Sequence, residues 1–185
     1  MKNYVALSLF GILFLTSCSN NSEEDYEDVT SYPFVEAEFG SSINLDNLDN
    51  YANQSLPAYI TKNNSQGNLI TNAGATLGRV LFYDKKLSSN NTISCSSCHI
   101  HSSSFTDNNV QAIGVEGRVG LRNVPPLQNL AFMNFYNWDG SKLQLENQVL
   151  VPIITHEEMN SSILEVIEKL QTDSEYPILF QKAFG

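Results

Sequence analysis

The stretch Cys95-Ser96-Ser97-Cys98-His99 constrains this chain more than any other feature, because it commits two cysteines and a histidine to a single turn of backbone. Three chemistries use such spacing: a redox dithiol, half of a zinc site, or the covalent attachment of a haem. A thioredoxin-like dithiol sits beside a βαβ pattern, and none is legible around residues 95–99. Zinc would need Cys95, Cys98 and two of His99, His101 and His156, yet the adjacent side chains of Cys98 and His99 diverge and do not readily share one tetrahedral ion. In haem attachment each residue has its own task. Cys95 and Cys98 form thioethers to the two vinyl groups, and His99 supplies an axial nitrogen to the iron.

The third cysteine, Cys18, closes a lysine-led apolar run that ends in small residues, the pattern of a secretory leader. The run, from about Val5 to Leu15, falls short of the about 20 apolar residues that span a bilayer. Leu15-Thr16-Ser17-Cys18 resembles the lipobox of bacterial lipoproteins, so residues 1–17 are expected to be a signal peptide and Cys18 the lipidated first residue of a protein held in the cell envelope, facing the periplasm or the outer surface. Export agrees with bacterial haem attachment, which is completed outside the cytoplasm. Residues 18–50, acidic and polar at their start, read as a flexible tether between lipid and folded domain. The formal net charge of −10, spread along the chain with no basic cluster, argues against nucleic acid as a partner.

Helical signals dominate the remainder. Leu77, Val80 and Leu81 fall at i, i+3, i+4, and Ser162-x-x-Glu165 opens a segment carrying Ile163, Val166, Ile167 and Leu170 on one stripe. Ser141-x-x-Gln144 is a candidate start for another helix, which Pro152 would end. Between these lie long Asn-, Ser- and Gly-rich connections, above all from Ser88 to Asn129, without strand alternation. Loops of that length are uncommon in a compact domain unless something else fills the interior, and a large buried cofactor does so. A simple electron carrier would offer the iron a second strong ligand, for which the candidates are Met133, Met159, His101 and His156.

Several segments in order, Leu77 to His99, Phe105-Thr106-Asp107, Arg122-Asn123-Val124-Pro125, Trp138-Asp139-Gly140, Glu157-Glu158-Met159 and Tyr176 to Gly185, together resemble the bacterial di-haem cytochrome c peroxidase family, including its MauG-like members. The resemblance runs from about Tyr51 to Gly185 and implies an all-α, cytochrome c-like haem domain with long loops over residues 51–185. It further implies one covalent haem c in this chain. Hydrogen peroxide would be the substrate, with electrons from a small cytochrome c or cupredoxin. Gln148 matches the distal glutamine, Glu158 the distal glutamate, Trp138 the tryptophan between two haems, and Asn123 a position whose backbone helps bind calcium. The alternatives are a MauG-like oxidase of a protein side chain and a monohaem electron-transfer cytochrome.

Two departures stand out. Many relatives carry a loop histidine that ligates the peroxidatic iron at rest, yet no histidine occurs between Ser102 and Thr155, and Ile113 lies near the place where some have it. Relatives also continue past Ala183-Phe184-Gly185 into a domain with a second Cys-x-x-Cys-His, so the chain is expected to be truncated before the second haem domain, or to meet that haem on another polypeptide.

Overall fold

A computed structural model describes residues 31–185 as helices joined by long irregular connections, with no strands among the described residues beyond three isolated bridges. The helices are α1 (Pro33–Phe39), α2 (Asn72–Tyr83), α3 (Cys95–Cys98), α4 (Leu145–Gln148), α5 (Leu150–Ile154), α6 (Ile163–Gln171) and α7 (Tyr176–Phe184). The all-α, cytochrome c-like expectation matches this architecture. None of the described helices is long and apolar enough to cross a membrane. The leader and Cys18 lie outside the described residues.

Helix α2 forms where the apolar spacing predicts it. Thr71 caps its first turn by accepting the Gly74 N–H, and Leu77 and Val80 face inward. Its main partner is α7, and the two bury Leu77, Val80, Tyr176 and Leu179 in one core cluster. A second cluster, Leu87, Ile153, Met159 and Val166, joins α5 to α6, and Leu81 and Leu170 pack against both clusters. Helix α6 starts as its capping pattern requires, the Ser162 hydroxyl accepting the Glu165 N–H at 3.1 Å. Of its apolar stripe, Val166 is buried and Ile167 remains exposed. Lys169, in the last turn of α6, donates to the carbonyl of Ser88 at 2.8 Å, tying the connection that precedes the cysteine motif to this helix.

Two expectations are corrected. Residues 18–50 are not a tether throughout, since Val35 and Ile43 belong to the α2–α7 core. The first turn of α1 gives the backbone N–H groups of Phe34 and Val35 to the buried carboxylate of Glu175, at 2.7 and 3.3 Å, so a group distant in sequence holds this segment. The helix expected from Ser141 begins at Leu145 instead and breaks at Val149, and Pro152 stands inside α5 rather than ending it. The break makes residues 150–152 a new first turn, where a missing N–H leaves no helical hydrogen bond unmade.

Tyr176 is fully buried and donates its hydroxyl proton to Asp84 at 2.6 Å. Beside it Lys86 pairs with Asp173 at 2.6 Å and lies over the rings of Phe34 and Tyr176. These contacts fix the end of α2, from which the chain proceeds to the cysteine motif.

Candidate functional site

Helix α3 is the cysteine motif itself, one turn long, with His99 as its C-terminal cap residue and the His99 N–H bonded to the Cys95 carbonyl. Ser94 and Ser97 clasp its start, the Ser94 N–H donating to the Ser97 hydroxyl at 3.0 Å. Both cysteines are free thiols, half-buried, and at the two ends of one turn. Burial pushes the Cys95 thiol up to about 11, with the neighbouring Cys98 adding to the rise. The Cys98 thiol is raised as well, by burial first and then by the charges of Asp107 and Glu158.

Residues Ser104 and Phe105 both adopt left-handed φ, 61° and 59°, an arrangement that non-glycine residues rarely take. The double turn brings the Phe105 carbonyl to 2.9 Å from Nδ1 of His99. A carbonyl only accepts, so Nδ1 is the donor and, in the neutral ring, Nε2 is the nitrogen with the lone pair. That is the tautomer and orientation a metal-ligating histidine needs. Phe82 stands beside the ring, its centroid 6.5 Å from that of His99, and meets Phe105 edge-on at 6.2 Å.

Glu158 lies in the turn between α5 and α6, and burial, then the neighbouring Glu157, raises its carboxyl above the ordinary range. Gln148 ends α4, and its Oε1 is buried with no hydrogen-bond partner. The four candidates for a second iron ligand are otherwise engaged or surface-placed. Met159 is packed with Leu87, Ile153 and Val166, and Met133 is exposed. His101 packs edge-on against Phe105, and exposed His156 meets Arg118 and Asn160 through its Nδ1.

Trp138, 91% exposed, stands apart in a turn closed by the Tyr136–Lys142 bridge. Asn123 is exposed between Arg122, whose carbonyl accepts the Ala112 N–H, and buried Val124. Ile113 is exposed and bridges to Val119. Sequence reasoning missed the Phe105 carbonyl and the close seat of Gly114 against residues 157–158. A backbone carbonyl carries no residue-type signal, and Gly114 reads as part of a flexible glycine loop until its neighbours are known.

These residues fit a covalently held haem. Two thiols and an imidazole with a free Nε2 share one turn, aromatic rings stand beside them, and Gln148 keeps an unmatched acceptor in a protected place. A helical domain built around such a turn is of the cytochrome c class. A family model described as di-haem cytochrome c peroxidase matches residues 72–185, well over half of the chain, and the chain belongs to that family. The family brings haem c as its cofactor.

Among its relatives, the methylamine utilization protein MauG of Methylorubrum extorquens is 39% identical over 121 residues, 65% of this chain and 34% of that protein. The cytochrome c551 peroxidase of Nitrosomonas europaea is 38% identical over 60% of this chain and 33% of its own length. The crystal structure of a MauG-like protein associated with microbial copper homeostasis aligns with a TM-score of 0.66 at 34% identity, covering 71% of this chain and 40% of that one. The chain thus spans about a third of the length of the curated relatives it matches.

Proposed function

We propose that this chain is the peroxide-reacting haem domain of a di-haem cytochrome c peroxidase, converting hydrogen peroxide, two electrons and two protons into two waters. Cys95 and Cys98 hold one haem c through thioethers, and His99 offers Nε2 to its iron. When bound, the haem supplies the iron at which peroxide is reduced. Glu158 takes the proton from one peroxide oxygen and returns it to the other, so that the latter leaves as water. The Gln148 amide orients peroxide and the water it becomes. Trp138 is the residue that would pass on electrons from a second haem, with a small cytochrome c or cupredoxin as the donor.

The observation that carries this reading is the place of Glu158, in a turn tied to the cysteine motif through one loop: the Val115 N–H donates to the Glu158 carbonyl at 2.8 Å and the Ile113 carbonyl lies 3.6 Å from the Cys98 sulfur, while burial raises the Glu158 carboxyl. A carboxyl shifted towards neutrality exchanges a proton in both directions more readily than one at the usual glutamate value. Replacing it tests the role. Glu158→Gln should slow the ferric protein's reaction with peroxide by roughly two to four orders of magnitude, the range for a positioned acid/base group, with the resting spectrum nearly unchanged. An unchanged rate in stopped-flow removes Glu158 from the chemistry, and loss of haem makes it structural.

The finer features of the same proposal are a lipid on Cys18, a place in the cell envelope, and a calcium ion held in part by the Asn123 backbone. The lipobox-like sequence and the family pattern support them.

A further inference from the structure

Glu158 belongs to no helix, so something else must fix where its carboxyl stands. Within the turn, Glu158 N–H donates to the Thr155 carbonyl at 3.1 Å, and the next residue's carbonyl accepts the Ser89 N–H at 3.0 Å. Donations from Met159 to Pro152 at 3.1 Å and from Asn160 to Thr155 at 3.0 Å fold the turn on itself, and a tie from outside it comes from the loop Ala112–Gly120. That loop is closed on itself by the Ile113–Val119 bridge and by N–H donations from Gly114 to Arg118 and from Gly120 to Ala112, both 2.8 Å. From it the Val115 N–H reaches the Glu158 carbonyl at 2.8 Å, and Arg118 donates to the His156 carbonyl at 3.0 Å.

Gly114 explains how the loop comes so near. A Cβ there would stand 2.5 Å from the Glu158 carbonyl oxygen, and closer still to that of Glu157. Its φ is −97°, so glycine is required by the close approach and not by backbone conformation. On its other side the loop meets the attachment turn, where the Cys98 sulfur lies 3.6 Å from the Ile113 carbonyl.

Resting on the reading of Glu158 as the acid/base group, we propose that Gly114 and Val115 are positioning residues for it. The loop is a rigid spacer between the haem-attachment turn and the Glu158 backbone. It sets how far Glu158 stands from the turn that would hold the haem. A methyl group at position 114 meets backbone on both carbonyls, with no flexible side-chain end to yield, so the 157–158 turn must retreat by roughly 1 Å to restore ordinary contact. A misplacement of about that size costs up to roughly a hundredfold in a positioned reaction.

Cyanide binding to the ferric holoprotein tests this without turnover, because HCN must give its proton to a nearby base as its carbon joins the iron. Glu158→Gln and Gly114→Ala should each slow cyanide association, the latter by about tenfold to a hundredfold. In the double variant the two effects should not add, since Gly114 acts through Glu158. Hydrogen exchange at the Val115 amide should quicken in Gly114→Ala while that of Leu179, in the distant core, stays slow. Should Gly114→Ala not fold, Arg118→Ala removes another tie between the loop and this turn and should show the same non-additivity at smaller size. Independent, additive slowing in the double variant, or normal cyanide association in a folded Gly114→Ala protein, overturns the inference and leaves the reading of Glu158 standing. Unchanged association in Glu158→Gln overturns that reading and the inference together.

Discussion

His99 owes its orientation to a neighbour that makes a costly turn. Ser104 and Phe105 are consecutive left-handed residues, and each such non-glycine residue stores roughly 1–2 kcal/mol of steric strain. The return is the Phe105 carbonyl on Nδ1, which leaves Nε2 as the free nitrogen. Ser104 is exposed, so its strain can be removed separately. Glycine at that position relieves the strain but adds roughly 0.5–1 kcal/mol of unfolded-state entropy to be lost. Ser104→Gly should therefore stabilise the protein by about 0.5–1 kcal/mol, read as a higher urea midpoint at constant slope. A lower midpoint would show that the serine contributes something beyond its backbone angle.

At the level of elements, α1 is held by a carboxylate 140 residues away in sequence from Val35, whose N–H it accepts. The arrangement gives a helix N-terminus a buried negative charge in place of its own capping side chain, since Tyr32 makes no side-chain cap. Hydrogen bonds to a charged group contribute about 1.5–3 kcal/mol, so Glu175→Ala should destabilise the protein by about that amount. The loss should be local in its first effect. Hydrogen exchange at Val35 and cleavage near α1 should rise before the α2–α7 pair opens, whereas uniform loosening of Leu77 and Leu179 amides would mean that Glu175 supports the whole core. Helix α5 follows a related rule. Its proline is harmless only because Val149 interrupts the helix and restarts it, so the same residue that ends one helix opens another.

Across the whole molecule, two core clusters meet at Leu81 and Leu170, while the chain from Ile100 to Asn134 buries few of its apolar side chains against other protein groups. Ile100, Val110, Ile113, Val119, Leu121 and Met133 are all exposed there. The order of this half follows from local turns, from the bridge of Ile100 to Thr106 and that of Ile113 to Val119, and from the attachment turn they surround. A haem fixed by two thioethers should survive denaturation with the polypeptide. Acid–acetone extraction of the purified holoprotein should leave all colour with the protein, Cys95→Ser or Cys98→Ser should leave a single thioether, and Cys95→Ser with Cys98→Ser together should release the haem to the solvent phase. Extraction of haem from the unaltered protein would refute covalent attachment.

What the amino-acid order determined alone lies within short spans of backbone. The Cys95–His99 spacing sets two cysteines and a histidine on one turn, a pattern that haem attachment uses, Leu77 and Val80 place the inward face of α2, and Ser162 starts α6, because each depends on neighbours three or four residues away. The family resemblance from about Tyr51 to Gly185 added Gln148, Glu158 and Trp138 as candidates. Their surroundings came from elsewhere. Folding presses Gly114 onto Glu158, turns the Phe105 carbonyl to His99, seats Phe34 and Val35 on Glu175, and leaves Trp138 exposed outside the α2–α7 core. Periodicity carries no record of such meetings, since they depend on which distant surfaces pack together and on how closely two backbones approach, and only the tertiary structure decides that.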